Sequence, residues 1–290
     1  MSLPKAVKII EVGPRDGLQN ESVSLDVATK VKLVHGLADA GLQTIEAGSF
    51  VSPKWVPQMA GSDDVFKQLI PSRTTYTALT PNMRGLDRAI ECNVKEIAVF
   101  AAASEAFSQK NINCSIDESL QKFKAVTQKA KDHNIAVRGY ISCVAGCPYQ
   151  GDVDDQKVSL VAQSLLDMGC YEISLGDTIG VATPKNIETL LCELLKTIDS
   201  SKLAVHLHDT YGRAIDNIKQ SLAMGIATID SSVAGLGGCP YAKGASGNVA
   251  TERVISLLDQ LKIAHGVDKQ KLSLVSQFIC EKLARPAFAD

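Results

Sequence analysis

Short runs of β-branched and apolar residues alternate along the chain with longer stretches of helical spacing. The short runs are Val7–Val12, Thr44–Ala47, Thr74–Leu79, Glu96–Phe100, Ala136–Ser142, Glu172–Leu175, Leu203–Leu207 and Thr228–Val233. Each is short and rich in β-branched or apolar residues, the mark of a strand. Between them, Asp26–Ala40, Leu120–His133, Gln156–Met168, Asn186–Ile198 and Asp216–Met224 place apolar residues at the three-to-four spacing of an amphipathic helix. Asp26 and Thr183-Pro184 suit helix N-termini, and Gly41 and Gly169 suit the positions just past helix ends.

Regular β-then-α alternation predicts a parallel sheet covered by helices. Eight such units, with no glycine-rich dinucleotide fingerprint after the first strand, favour a closed (β/α)8 TIM barrel over an open doubly wound sheet. Asp268–Leu283 reads as an additional C-terminal helix. No linker-like stretch interrupts the chain, so residues 1–290 are expected to form a single catalytic domain.

Sites in a (β/α)8 barrel are built at the carboxyl ends of the strands. There the pattern turns polar: Glu11-Val-Gly-Pro-Arg15-Asp16-Gly17 after the first strand, Glu46-Ala-Gly-Ser49 after the second, Gly176-Asp177-Thr178 after the sixth, His206-Leu-His208-Asp209 after the seventh. The two-residue period of a strand points His206 and His208 to one face, which is either a metal site or a pair of hydrogen-bonded core histidines. Asp16, the two imidazoles and the amide oxygen of Asn248 would give an octahedral divalent ion about four ligands. Taken singly, Asp16 also suits an Asx turn before Gly17, and Asn248 an N-cap for a helix from Val249. Arg15 is placed to stabilise a developing oxyanion with Glu46 holding its guanidinium, or to form a strand-end salt bridge. Asp177 either assists proton transfer or orients its neighbours.

The last strand runs into Gly235-Leu-Gly-Gly-Cys239-Pro-Tyr-Ala-Lys-Gly-Ala-Ser-Gly-Asn248, which lacks the Lys-Ser or Lys-Thr of a P-loop. Its glycines let backbone lie close to a ligand, and Cys239 within it is a candidate acid or base or an inert loop cysteine. Cys143 and Cys147 are spaced wrongly for a Cys-x-x-Cys pair and are expected to play a structural part at the end of the fifth strand.

Composition narrows the remaining classes. The 290 residues are 45% hydrophobic and 21% charged, too apolar for disorder. With a net charge of −2, no basic run and 5% aromatic residues, no nucleic-acid partner is expected. No apolar run approaches the length of a membrane span, and the chain enters a strand-like run almost at once, so a cytoplasmic protein is expected. The eight cysteines, among them Cys92, Cys170, Cys192 and Cys280 in apolar segments, read as reduced, buried thiols.

Four segments, Glu11–Asn20, Ile45–Phe50, Val205–Thr210 and Gly235–Asn248, closely resemble the hydroxymethylglutaryl-CoA lyase family. Arg-Asp-Gly and His-x-His are shared with related metal-dependent barrels such as isopropylmalate and homocitrate synthases. The cysteine-bearing glycine loop and Cys143–Gly151 are what resemble the lyases. The resemblance implies a (β/α)8 barrel, Mg2+ or Mn2+ held by Asp16, His206, His208 and Asn248, and Arg15 and Cys239 as catalytic residues. It also implies an acyl-CoA substrate, with Arg15, Ser49, Asn111 and Thr178 among its contacts, and a homodimer. Ser22 departs from the lysine that some relatives carry.

The implied reaction cleaves 3-hydroxy-3-methylglutaryl-CoA to acetoacetate and acetyl-CoA, as in leucine degradation. His206, Asp177 or a water would take the hydroxyl proton, Arg15 would stabilise the enolate, and Cys239 would protonate it. A lyase for a related 3-hydroxy-acyl-CoA would share this core. A synthase condensing acetyl-CoA with a 2-oxo acid would use much the same metal site, but is expected to carry a larger region after His265-Gly266.

Overall fold

All eight expected strands form, and each pairs in parallel with its sequence neighbour. A computed structural model describes residues 3–238 and 247–288. The strands are β1 (Lys8–Glu11), β2 (Thr44–Ser49), β3 (Thr75–Leu79), β4 (Glu96–Ala102), β5 (Ala136–Ser142), β6 (Ile173–Asp177), β7 (Leu203–Leu207) and β8 (Thr228–Ser231). Pairing of Lys8 with Thr228 and Glu11 with Ser231 joins β1 to β8 and closes a barrel, so the open-sheet alternative does not hold.

The helices outside it are α1 (Val27–Asp39), α2 (Ser62–Gln68), α3 (Met83–Glu91), α4 (Glu105–Ile112), α5 (Ile116–Asp132), α6 (Asp155–Asp167), α7 (Pro184–Leu194), α8 (Ala214–Ala223) and α9 (Thr251–Gln260). The additional helix, α10 (Lys269–Lys282), follows them. The expected punctuation is where it was placed. Asp26 accepts from Thr29 N to cap α1, Thr183 and Asn186 form a capping box for α7, and Gly41 and Gly169 take φ of 97° and 104°.

Three boundaries differ for local reasons. α5 starts at Ile116, four residues ahead of the periodic stretch, because Ser115 and Glu118 cap one another. α4 is too short and too weakly two-faced to stand out from sequence, so the β4 connection holds two helices. α9 begins at Thr251 behind Ala250, which removes the helix-capping reading of Asn248.

Leu33, Leu37, Ile45, Ile97, Leu165 and Leu191 are fully buried. The barrel interior also carries polar groups: Glu46, Ser174 and Asp230 are as buried as these, at 2% exposure or less. No described helix is long and apolar enough to cross a membrane. The described cysteines are free thiols, and Cys170 and Cys280 are buried as expected. Cys192 corrects that expectation: it lies on the solvent face of α7, while Cys92 is half-buried.

Candidate active site

The polar strand ends converge on a cavity of about 460 Å3. Directly after β1 the chain makes a π-helical turn, Gly13–Gly17, with three N–H groups (Arg15, Asp16 and Gly17) returning to Val12 O. Such turns are rare and cluster at functional sites. This one carries Arg15 and Asp16 to the cavity from consecutive positions.

Asp16, His206 and His208 each offer one ligand atom, and these atoms lie within 4.8 Å of one another. His206 Nε2 is 3.7 Å from Asp16 Oδ2, while its Nδ1 is 3.3 Å from Asp230 Oδ2. A carboxylate on the far nitrogen fixes ring orientation in the manner of metal-bound histidines. His208 Nδ1 is buried with no hydrogen-bond partner among the described residues. An orphaned imidazole nitrogen beside a carboxylate and a second imidazole fits a divalent cation, since each is a suitable N or O donor. Asn248 joins the group, its Nδ2 donating to Asp16 Oδ2 at 2.8 Å and to Leu236 O at 3.3 Å.

The charges are arranged for such a centre. Burial raises the Asp16 carboxyl, but Arg15 and the two histidines overcome it and hold Asp16 well below the carboxylate range. Burial, then His206, pulls His208 down to about 4. Burial lowers His206 too, but Asp230 and Asp16 outweigh it and raise the imidazole.

Arg15 is held from two sides, its Nε donating to Glu46 Oε2 and its Nη1 to Asp16 Oδ1, each at 2.5 Å. It is 6% exposed, and its guanidinium faces the Tyr140 ring at 5.7 Å. Glu46 touches the cavity only through Arg15, which makes it a positioning residue. Its other oxygen, Oε1, has no partner among the described residues, and burial raises its carboxyl against the pull of Arg15.

Asn111 and Thr178 line the cavity, from α4 and the end of β6. Ser49 and Asp177 do not. The buried Ser49 hydroxyl donates to Leu79 O (3.2 Å) and accepts from Val51 N (3.3 Å), so it shapes the β2 loop rather than facing a ligand. The oxygens of Asp177 accept from Val181 N (3.1 Å) and Ala182 N (2.9 Å). Burial brings that carboxyl up to about 6, and these hydrogen bonds favour the orienting reading over proton transfer. Just past the end of β5, Cys143 N donates to Thr178 Oγ1 at 2.8 Å, and Cys147 Sγ accepts from Ser104 Oγ at 2.9 Å.

Cys239 lies outside the described residues. The two ends of its loop are described and touch, with Gly247 N donating to Gly237 O at 2.9 Å. A Cβ on Gly247 would stand 2.2 Å from that oxygen, so only glycine fits.

Beneath the cavity is a layer the sequence reading missed. Arg138 donates through Nη1 and Nη2 to Asp230 (3.0 and 2.8 Å) and through Nε to Glu172 (2.7 Å). Ser174 donates to Asp230 and Thr228 to Glu172. The one hint in the sequence is a charge inside each of two strands, Arg138 in β5 and Asp230 in β8, and it does not say that the two meet. Tyr140, between Arg15 and Arg138 and edge-on to His206, was missed with them.

A closed barrel that gathers two imidazoles, a carboxylate and a paired arginine at its strand ends defines a class, the divalent-metal enzymes of the (β/α)8 fold. Within it the chain belongs to the HMGL-like family, whose model matches residues 6–279. The chain is 58% identical over 286 residues to the 3-hydroxy-3-isohexenylglutaryl-CoA/hydroxymethylglutaryl-CoA lyase of Pseudomonas aeruginosa, covering 98% of this chain and 95% of that one. It is 55% identical to the mitochondrial hydroxymethylglutaryl-CoA lyase of Rattus norvegicus, covering 98% and 88%. The crystal structure of the hydroxymethylglutaryl-CoA lyase from P. aeruginosa superposes with a TM-score of 0.98 at 57% identity, over 100% of this chain and 97% of that one.

Proposed function

We propose that this chain is a carbon–carbon lyase that cleaves 3-hydroxy-3-methylglutaryl-CoA to acetoacetate and acetyl-CoA with a bound divalent cation, Mg2+ or Mn2+. The observation that carries this is the junction of two groups at one carboxylate: Asp16 closes the Asp16–His206–His208 triangle and also pairs with Arg15. Relatives at 52–58% identity over nearly the whole chain bear the lyase name, which supports the lyase over the synthase reading.

Asp16, His206, His208 and Asn248 would hold the cation, which when bound would supply the Lewis acidity that makes the substrate's hydroxyl easier to ionise. Loss of the hydroxyl proton to His206 or a water turns the C3–O bond into a ketone as the C2–C3 bond breaks, the electron pair of that bond passing to the thioester as an enolate. Arg15 is a permanent cation with two of its donors already engaged, so its guanidinium cannot swing away as that charge develops. In the proposal, Cys239 delivers the proton that turns the enolate carbon into the methyl group of acetyl-CoA. Asn111 and Thr178 contact the acyl-CoA from the cavity wall. Glu46, Ser49 and Asp177 hold the frame. The proposal takes residues 1–290 as one catalytic domain, acting as a cytoplasmic homodimer in leucine breakdown.

The test is release of acetoacetate and acetyl-CoA by chelator-stripped protein before and after Mg2+ or Mn2+ is returned. Cleavage restored by the metal is expected. Folded, metal-loaded protein that leaves the substrate intact would overturn the assignment.

A further inference from the structure

The segment after α10 reaches back to the strand-end face of the barrel. Ala284 takes a left-handed φ of 51°, and Arg285 N returns to Cys280 O at 2.9 Å, ending the helix. Arg285 Nη1 then donates to Glu21 Oε1 at 2.5 Å. Glu21 lies just past the π turn, with its N–H bound to Leu18 O (3.2 Å) and its carbonyl receiving Gln58 Nε2 (3.1 Å). The same Oε1 accepts Gly237 N at 3.1 Å.

That N–H belongs to the peptide unit whose oxygen is Leu236 O, and Leu236 O accepts Asn248 Nδ2. One rigid plane is thus gripped at both ends, by a charged acceptor on one side and by the Asn248 amide on the other. The Asn248 amide in turn reaches Asp16. The fit around this plane is close: a Cβ on Gly237 would lie 3.0 Å from Asn248 Nδ2 and 3.2 Å from Gly17 Cα.

We propose that Glu21 and Arg285 are positioning residues for the metal-binding group, acting through the Leu236–Gly237 peptide on the amide of Asn248. The inference rests on the assignment of Asn248 to the metal site made above. Arg285 holds the Glu21 carboxylate in one rotamer, Glu21 sets the tilt of the peptide, and the peptide sets which way the Asn248 amide turns toward Asp16. The C-terminal segment is in this sense part of the site, although it touches none of the reacting atoms.

Full-length Glu21→Ala, Arg285→Gln and the double variant are compared with wild type in two measurements: Mn2+ titration of the stripped protein, and kcat and KM for hydroxymethylglutaryl-CoA. Each single change is expected to lower Mn2+ affinity and kcat about tenfold, the usual cost of losing an outer-shell partner, with KM nearly unchanged. The double variant is expected to be no worse than either single, because both sever one chain of contacts. Arg285→Lys, which keeps the charge, is expected to regain most of the loss.

A lowered unfolding temperature with wild-type Mn2+ affinity and kcat would overturn the inference, leaving only a terminal staple. So would losses that multiply in the double variant. If Glu21→Ala does not fold, Glu21→Gln retains an acceptor without its charge and is expected to show a smaller loss of both quantities; no loss overturns the inference. Should wild type bind Mn2+ but fail to cleave the substrate, the functional assignment falls, and the titration still decides the relay.

Discussion

Two buried arginines stand on either side of Tyr140, Arg15 at 5.7 Å from its ring and Arg138 at 5.0 Å, and each is held by two carboxylates. The chemistry is the same and the circumstances are not. Around Arg138 the acidic oxygens are all engaged, by the guanidinium, Ser174, Thr228 and His206. Around Arg15 the network is left incomplete, with Glu46 Oε1 and His208 Nδ1 unpartnered among the described residues, and it opens on the cavity. A fully satisfied buried network fixes structure. One with spare donor and acceptor capacity is where a ligand completes the set. Residue type alone does not separate foundation from working site; the count of satisfied atoms does.

The largest effect that would break this comparison is on activity. Asp16→Asn removes the one carboxylate common to the metal group and Arg15, and several kcal/mol of transition-state stabilisation corresponds to about a thousandfold or more in kcat. Steady-state turnover checks it, and near-normal turnover would remove Asp16 from the centre. Its unfolding free energy is expected to change far less.

The lower layer should behave in the opposite sense. Asp230→Asn takes from buried Arg138 one of its two carboxylates, leaving Glu172, and should cost up to about 3–5 kcal/mol of stability, read by denaturant unfolding. Mn2+ affinity should fall about tenfold as well, because His206 loses its orienting carboxylate. A variant as stable as wild type would erase the distinction between the layers.

A third carboxylate sharpens the contrast on a smaller scale. Glu11 is fully buried and accepts from Gly13 N, Val233 N and Thr251 Oγ1, with no basic side chain among its hydrogen-bond partners. Burial pushes it up to about 7 against those hydrogen bonds. The folded protein therefore holds the Glu11 proton where the unfolded chain, titrating near 4.5, has released it. That contribution is fully present below the unfolded value and is lost as pH rises through about 7, a change of about 3 kcal/mol. Glu11→Gln should abolish this part of the pH dependence between about pH 5 and pH 8, seen as the difference between variant and wild-type unfolding free energies. An unchanged pH profile would mean that the three hydrogen bonds, not burial, govern the group.

The barrel was legible because its strands are buried on both faces and stand out as apolar runs, while glycine and capping residues punctuate the helices between them. The convergence of His206, His208 and Asp16 was legible because a strand's period of two and the strand-end rule bring them to one place, while the choice between a metal site and paired core histidines stayed open. The lower layer was not, since the interiors of β5 and β8 read as strand whether or not they carry Arg138 and Asp230. Asp177, open between proton transfer and orienting its neighbours, and Ser49, expected as a substrate contact, were ambiguous for a related reason. A polar residue at a strand end faces either the cavity or its own loop, and only the backbone N–H groups at Val181, Ala182 and Val51 show which.

Trp55, on the loop after β2, is the single tryptophan of the chain and 87% exposed at the mouth of the cavity. Its emission is therefore that of one indole bathed in water, with no second chromophore of its kind to dilute the signal. Whatever fills the mouth changes that bath. The protein carries its own optical gauge of cavity occupancy, one that needs no attached label and no turnover to be read.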